Sequence, residues 1–343
     1  MGIVLFANPT AHSGDAAATI DLARRLLVDR GLKHQFIPTE PAGGTVDRVR
    51  RAVNDEGTRL VIYLGGDGTF SEVARGILRS HKRAEVTLGM LPSGTANDQG
   101  KSFGLQAGPD ALAENVAIIA RGATRLIDVG RIERLDGERA THAEYFFDSA
   151  SIGFSAAVLR TRNADREAVS KVPILGELYR DHAIYTGAAI KHFVASYFEP
   201  MKLDVDADLD GRPRHYEGLM DLLVSNTRVW AGAFVLHRQA CAEDGLLELA
   251  PVGGRRDLTS KLLASFRHGL FDEDDLRDLG LDASKVEQIR RATLTIHARG
   301  EPPAIQADGD ELRLGDPSRD ARYRISVIPR HLRIAADRGE LDL

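Results

Sequence analysis

The sequence has little of what marks several large classes of protein. Its 343 residues contain one cysteine, Cys241, which excludes an internal disulfide framework and suits a reducing compartment. The formal net charge of −5 offers no basic face for nucleic acid. No apolar run reaches the length of a membrane span, and the start, MGIVLFANPT, lacks the basic segment of a secretory signal. We therefore expect a cytoplasmic protein with no nucleic-acid partner.

The first part of the chain alternates strand and helix patterns. The length favours two domains, and a hydrophobic content of 43% supplies ample core. Strands are predicted at Ile3–Ala7, His34–Pro38, Arg59–Leu64 and Thr87–Leu91, and helices at Ala16–Asp29, Thr45–Glu56 and Phe70–Ser80. This alternation predicts a parallel sheet covered by helices. Ligands of such sheets bind beyond the carboxyl ends of the strands.

From about Asp128 the pattern changes to short alternating runs between Gly- and Asp-rich turns, which indicates antiparallel β structure. Helices are predicted within it at Val172–Phe198 and Asp257–Leu270. The run RISVIPRHLRIAA needs its apolar face buried, and we expect residues 326–336 to return to the first domain. The predicted class is α/β, with an α/β domain of residues 1–127 and 323–343 and a β-rich, sandwich-like domain of residues 128–322.

The stretch YLGGDGTFSEVARGI joins a predicted strand to a predicted helix through Gly65-Gly66-Asp67-Gly68-Thr69. Such a junction exposes backbone N–H groups that can bind a phosphate. A carboxylate there would repel phosphate unless a divalent cation lies between them or it acts through water or a lysine, so Asp67 predicts Mg²⁺. The alternative is an Asp-Gly turn with a capping threonine.

A second glycine loop follows the next strand, in residues 89–104, GMLPSGTANDQGKSFG. Its Ser93, Gly94 and Thr95 can offer N–H and hydroxyl groups to phosphate. The alternative is a helix capped by Asn97 or Asp98. Two such loops at consecutive strand ends favour a nucleotide site, although neither matches a Walker A loop or the GxGxxG pattern of dinucleotide-binding folds.

With these motifs the sequence resembles the bacterial diacylglycerol kinases and YegS-like lipid kinases, which are related to sphingosine and ceramide kinases. The residues that carry the resemblance are NPTAHSG at 8–14, GGDGTFSEV at 65–73, LPSGTANDQG at 91–100, EDGLLEL at 243–249 and ADGDEL at 307–312. The GGDGT motif is shared with NAD kinases and distantly with phosphofructokinases, whereas its combination with PSGTAND is much more specific to the lipid kinases. The resemblance implies the fold of the NAD kinases and diacylglycerol kinases.

The resemblance also implies ATP and Mg²⁺ as cofactors and assigns residues to them. The nucleotide and its phosphates would be bound by Asn8, Thr39, Gly65, Gly66, Asp67, Gly68, Thr69, Glu72, Thr95 and Asn97. Mg²⁺ would be held by Asp67, Asp98 and Asp244, partly through water. A separate structural Mg²⁺ site would use Asp244 and the backbone at Leu246. Cys241, three residues before Asp244, is a poor Mg²⁺ ligand, so we expect that site to be weak or empty.

The Asp-Gly pairs of the β-rich part are interpreted in two ways, as hairpin turns or as part of a functional site. Any one of them is typical of a hairpin turn, and Asp210-Gly211 is interpreted as one. The resemblance makes Asp308 the catalytic base. Asp310 stands where the family has Glu, so its supporting role is open and Glu311 is an alternative.

The implied activity is transfer of the ATP γ-phosphate to a lipid alcohol, with diacylglycerol, a ceramide or a sphingoid base as acceptor. The basic and aromatic residues of Val172–Phe198 predict peripheral contact with a membrane, against the alternative of a helix that covers a sheet. A homodimer is compatible with the sequence. The rival functions are an NAD kinase and a non-catalytic lipid or nucleotide sensor on the same fold.

Overall fold

The structure is a computed structural model, and it describes residues 2–10, 15–94, 97–157, 202–230, 234–235, 240–253 and 286–337. The predicted helices Val172–Phe198 and Asp257–Leu270 lie outside these residues.

The elements follow the predicted order closely. The helices are α1 (Asp15–Asp29), α2 (Gly44–Asn54), α3 (Asp67–Leu78), α4 (Asp98–Ser102) and α5 (Pro109–Arg121), with a short 3₁₀ helix at Arg83–Glu85. The strands are β1 (Gly2–Ala7), β2 (Gln35–Pro38), β3 (Thr58–Gly65), β4 (Thr87–Pro92), β5 (Thr124–Asp136), β6 (Arg139–Phe146), β7 (Ser149–Gly153), β8 (Lys202–Leu209), β9 (Arg212–Leu219), β10 (Asp221–Ser225), β11 (Val229–Trp230), β12 (Phe234–Val235), β13 (Leu247–Val252), β14 (Glu287–Ile289), β15 (Arg291–Arg299), β16 (Ile305–Ala307), β17 (Asp310–Glu311) and β18 (Asp320–Ala335).

A ten-stranded mixed sheet runs through most of the described chain. Its order is β2-β1-β3-β4-β18-β15-β8-β9, and β5 pairs with both β18 and β6. Strands β1 to β4 pair in parallel, so their carboxyl ends meet at one edge. Apolar clusters on the two faces of these strands, one around Phe6, Tyr63 and Phe70 and one around Leu5 and Ile62, hold the helices in place.

The second sheet is antiparallel, in the order β14-β13-β10-β7-β16-β17. Its inner residues, such as Ile152 and Val224, form one buried cluster with Val205, Leu294 and Ile325 of the larger sheet. The alternating strands of the second half therefore pack face to face, as their period of two predicts.

The C-terminal strand β18 connects the two halves. Its residue Ile334 pairs in parallel with Leu88 of β4, while its earlier residues pair antiparallel with β15 and β5. The segment 326–336 thus reaches the parallel strands through Ile334. Both predicted domain boundaries fall inside strands, at residues 127/128 in β5 and 322/323 in β18, and the division into domains stays a prediction.

Candidate active site

The two glycine loops lie against each other at the carboxyl edge of the parallel strands. The Ser93 amide donates a hydrogen bond of 2.8 Å to the Gly65 carbonyl. A Cβ on Gly94 would lie 2.5 Å from the Gly66 Cα, and a Cβ on Gly66 would lie 3.2 Å from the Gly94 Cα. Both glycines are therefore needed for the contact between the loops. A valine at Gly66 would disturb this packing, so its effect on ATP binding could not be separated from its effect on the loop structure.

The carboxylate of Asp67 is oriented toward α4. It accepts hydrogen bonds from the backbone N–H groups of Asn97, Asp98 and Gln99, the first amides of that short helix. Burial raises the pKa of Asp67, and these amides partly offset the rise. Asp67 thus supplies an N-terminal cap for α4 from outside the helix. The Asn97 amide group is occupied too, because its Oδ1 accepts the Gly94 N–H at 2.8 Å.

Other predicted nucleotide residues line the same edge. Gly68 is exposed, and a Cβ built on it would meet no atom within 4 Å. The Thr69 side chain packs on Gly65, where a Cβ would lie 2.6 Å from the Thr69 hydroxyl oxygen. Glu72 is half-buried on α3. The amides of Gly68 and Thr69 stand at the N-terminus of a helix, where an anion is stabilised.

Asn8 and Thr39 follow the neighbouring strands β1 and β2. The Asn8 side chain is exposed and accepts hydrogen bonds from the amide and hydroxyl of Thr10, at 3.0 and 2.8 Å. The Thr39 amide donates to the Ala7 carbonyl at 3.0 Å. The structure thus places Asn8, Thr39 and the first glycine loop after successive strands of one sheet edge. Thr95 lies outside the described residues.

Asp308 is the first residue of the two-residue turn between β16 and β17. Asp308 and Gly309 both have positive φ, 50° and 80°, as a type I′ hairpin turn requires. The Asp308 side chain is 4% exposed. Its Oδ1 accepts the amides of Phe147 and Asp148 at 2.9 and 2.8 Å. These hydrogen bonds hold the turn against the junction of β6 and β7.

The other oxygen of Asp308 faces α3. Oδ2 accepts the Ser71 hydroxyl at 3.2 Å and lies 3.9 Å from an Arg75 guanidinium nitrogen. Burial raises the pKa of Asp308, and Arg75 together with the amides partly offsets the rise. Both oxygens of the predicted base already have hydrogen-bond donors. This geometry does not favour Asp308 as the group that accepts a proton from an incoming hydroxyl.

Asp310 follows the turn and is the first residue of β17. It is exposed, and its backbone pairs with that of Ala307 across the hairpin. Although the residue is exposed, neighbouring protein atoms screen its carboxyl partly from water, which raises the pKa of Asp310, and the charge of Arg75 lowers it. Of the two predicted catalytic carboxylates, Asp310 is the one that an acceptor can reach.

Sequence reasoning missed Asp148, Ser71 and Arg75. Asp148 is buried and accepts the Thr227 hydroxyl at 2.6 Å. Burial, and then the neighbouring Asp98 carboxylate, raise the pKa of Asp148, with smaller contributions from Asp308 and Asp67. Ser71 and Arg75 could have been found from the helical period, because they follow Asp67 at steps of four along α3. Asp148 has no local signal, since its partners are distant in the sequence.

Asp244 and Leu246 lie in a different acidic group. The Asp244 carboxylate accepts the Leu246 amide at 2.9 Å. Beside it, Asp128 accepts the amides of Gly245 and Arg330 at 2.6 and 2.7 Å. Burial raises the pKa of Asp244 and of Asp128. The described residues contain no cluster of three metal-ligating side chains, and the joint use of Asp67, Asp98 and Asp244 for Mg²⁺, partly through water, stays a prediction.

The residues present nevertheless fit a cation that is carried mainly by phosphate. The charges of Asp98 and Asp67 are close enough to Asp148 to raise its pKa, and these residues adjoin a loop edge suited to anions. Mg²⁺ at nucleotide sites keeps several waters and uses one or two carboxylates together with phosphate oxygens. Asp67 and Asp98 could supply those carboxylates.

Comparison with known proteins identifies the part of the chain that contains both glycine loops. Residues 2–132 match the diacylglycerol kinase catalytic domain. "Probable lipid kinase YegS" of Salmonella gallinarum is 27% identical over 316 residues, which cover 90% of this chain and 88% of the relative. A diacylglycerol kinase of Mycobacterium tuberculosis is 27% identical over 319 residues, with the same coverage. The predicted resemblance and the predicted enzyme class, a lipid kinase, are confirmed.

Solved structures agree with the predicted fold of this kinase. A diacylglycerol kinase from Bacillus anthracis superimposes with a TM-score of 0.66 at 18% identity, over 98% of this chain and 97% of that one. A yeast NADH kinase complexed with NADH gives a TM-score of 0.50 at 10% identity, over 97% and 82% of the two chains. The fold is therefore that of the diacylglycerol kinases and NAD kinases, as predicted.

Proposed function

We propose that this kinase transfers the γ-phosphate of ATP to the hydroxyl of a lipid alcohol, with diacylglycerol as the first candidate acceptor. One observation carries the proposal. The β16–β17 turn, with Asp308 and Asp310, is fastened to the helix that begins in the first glycine loop, through Ser71 and Arg75. A carboxylate pair thus stands next to a loop built for phosphates, which is the arrangement that phosphoryl transfer to a hydroxyl needs.

The reaction can be written with the residues on this surface. The amides of Gly68 and Thr69 bind the terminal phosphates of ATP, with the positive end of α3 behind them. The acceptor oxygen attacks the γ-phosphorus, and Asp310 takes the hydroxyl proton. The bond between the γ-phosphorus and the β,γ-bridging oxygen breaks, which leaves ADP and a phosphorylated lipid. Asp308 holds the turn so that Asp310 faces the phosphate.

Mg²⁺, when bound with the nucleotide, would neutralise charge on the phosphates. The carboxylates placed to hold it are Asp67 and Asp98, directly or through water. Their neighbour Asp148 adds negative charge to the same region.

Access to a lipid is proposed to occur at a membrane surface. No helix among the described residues is long and apolar enough to cross a membrane. The segment Val172–Phe198, whose basic and aromatic residues predict membrane contact, lies outside those residues. A homodimer and peripheral membrane association therefore stay predictions.

Radiolabelled ATP tests the proposed function directly. The enzyme is incubated with Mg²⁺, labelled ATP and mixed micelles that contain diacylglycerol, ceramide, sphingosine or another lipid alcohol, and NAD is offered in a parallel reaction. We expect label in the organic phase with one of the lipids. Labelled NADP with no labelled lipid would identify an NAD kinase. No labelled product in any reaction would favour the non-catalytic alternative.

A further inference from the structure

Arg75 is a buried cation that the proposed reaction has not yet used. It lies on α3, four residues after Ser71 and eight after Asp67, so all three project from one side of the helix. Its side chain is 11% exposed. An arginine is rarely buried to this extent unless it is paired. Its partners therefore indicate what it does.

The guanidinium of Arg75 joins three parts of the site. One terminal nitrogen lies 3.9 Å from Asp308 Oδ2 and 3.4 Å from the carbonyl oxygen of Tyr145, to which it donates. Its Nε lies 3.6 Å from Glu144 Oε1. Arg75 also lowers the pKa of Asp310, which places its charge near both carboxylates of the turn.

We propose that Arg75 is a positioning residue that couples the nucleotide-binding end of α3 to the Asp308–Asp310 turn and keeps both carboxylates ionised during transfer. This inference rests on the proposed phosphoryl transfer. Arg75 itself touches neither nucleotide nor acceptor in the proposal, and it acts through the two aspartates.

The charges around the turn explain why a cation is needed there. Asp148, at the junction of β6 and β7, contacts Asp308, and the charges of Asp98 and Asp67 lie close to Asp148, so the surroundings of this side of the turn are acidic. Burial already raises the pKa of Asp308. Without a nearby cation, a buried carboxyl among other carboxylates takes up a proton. The same cation lowers the pKa of Asp310, the proposed proton acceptor, which could not take the proton of the acceptor hydroxyl if it were already protonated.

A purely structural role is the alternative. Arg75 could serve only to hold β6, through Glu144 and the Tyr145 carbonyl. The same Glu144 is also bound by Arg79, whose nitrogen lies 3.1 Å from Oε2 and whose side chain is 47% exposed. Arg79 is one turn further along α3 and has no described contact with Asp308. Arg79→Met is therefore a matched control, because it removes the other arginine that binds Glu144 and leaves the turn unchanged.

The experiment measures turnover against pH for the wild type, Arg75→Met, Arg75→Lys and Arg79→Met, at saturating ATP and acceptor. Arg75→Met removes a positive charge next to the carboxylates. The pH at which turnover falls on the acidic side of the profile should therefore rise by roughly one to three units. The KM for ATP should be unchanged, because the phosphate loop is intact. Arg75→Lys keeps the charge and should restore the limb toward the wild-type position. Arg79→Met should keep the wild-type profile.

Two results would overturn the inference. One is an Arg75→Met profile whose limb coincides with that of the wild type. The other is an equal displacement in Arg79→Met, which would show a general effect of surface charge. A melting curve for each variant separates either result from unfolding.

A second readout needs no activity. The carboxyl carbons of the aspartates are titrated by ¹³C NMR, with the Asp308 and Asp310 signals assigned from Asp308→Asn and Asp310→Asn. Both should titrate at higher pH in Arg75→Met than in the wild type, and unchanged titration would contradict the inference. If the wild type phosphorylates no acceptor, the proposed function fails, while this titration still decides the role of Arg75.

Discussion

Two Asp-Gly turns in this chain have the same local structure and different surroundings. Asp210-Gly211 joins β8 to β9, and Asp308-Gly309 joins β16 to β17. Both aspartates have φ near 50° and both glycines have φ near 80°. In each turn the carboxylate accepts two or more backbone amides of a neighbouring strand or junction. Asp210 accepts those of Arg290 and Arg291, at 2.9 and 2.8 Å.

The difference between the turns lies in what surrounds them. Asp210 is exposed, whereas the Asp308 side chain is buried and faces Ser71 and Arg75 of α3. The residue after the glycine is Arg212 in one turn and Asp310 in the other. Turn chemistry alone therefore cannot distinguish a surface hairpin from a hairpin at the proposed active site, and the difference lies in the contacts with the neighbouring helix.

The largest effect is expected at the residue that follows the glycine. Asp310→Asn removes the proposed proton acceptor while keeping its size, so turnover should fall by about 10²–10⁴. ATP affinity and melting temperature should be unchanged, because Asp310 is exposed. Asp316→Asn, at an exposed position in the following loop, is the matched control and should be silent. Near-normal turnover of Asp310→Asn would return the role of base to Asp308.

A third Asp-Gly pair, Asp67-Gly68, tests the phosphate loop. A side chain on Gly68 meets no protein atom within 4 Å, yet it occupies the space in front of the α3 N-terminus. Gly68→Val should weaken ATP binding at least about tenfold, which is a loss of about 1.4 kcal/mol, and leave the melting temperature unchanged. Gly68→Ala should have a smaller effect of the same sign. Unchanged affinity in calorimetry would show that the phosphates bind elsewhere.

The next effect concerns the free energy of unfolding, which should respond differently to substitution of the two hairpin aspartates. Asp308→Asn leaves buried amide donors facing an amide group, so unfolding free energy should fall by about 2–3 kcal/mol. At Asp210 the amides of Arg290 and Arg291 can bind water instead, so Asp210→Asn should lower the free energy of unfolding by less than about 1 kcal/mol. Urea denaturation measures both. Equal losses would mean that burial does not distinguish the turns.

The smallest effect concerns pH. Burial raises the pKa of Asp308 above its value in the unfolded chain, so the native state keeps a proton that the unfolded state loses. Stability should therefore fall as pH rises from about 4 through the raised pKa of Asp308. Asp308→Asn should flatten that part of the stability curve, and Asp210→Asn should not. Parallel curves for wild type and Asp308→Asn would contradict the assigned burial.

Much of the fold could be read from periodicity. The predicted strand Arg59–Leu64 is observed as Thr58–Gly65, and the predicted helix Thr45–Glu56 as Gly44–Asn54, since apolar spacing and loop glycines mark such elements locally. The glycine loops were likewise visible as motifs. The interpretation of Asp210-Gly211 as a turn agrees with the structure.

The site was less accessible to sequence reasoning because its decisive contacts are long-range. The Asp308 carboxylate is held by Phe147, 161 positions away, and by Ser71, 237 positions away. Neither separation leaves a local pattern. The prediction that Asp67 faces Mg²⁺ stays a prediction. That its carboxylate also lies against the amides at the start of α4, about thirty residues later, is visible only from the packing of the two loops.

The central claim is that the β16–β17 turn and the first glycine loop form one phosphoryl-transfer site. A crystal structure with Mg²⁺ and a non-hydrolysable ATP analogue tests it most directly. The γ-phosphate is expected to lie at the amides of Gly68 and Thr69 and to point toward Asp310. A triphosphate bound away from that loop, or one whose γ-phosphate points away from the turn, would contradict it.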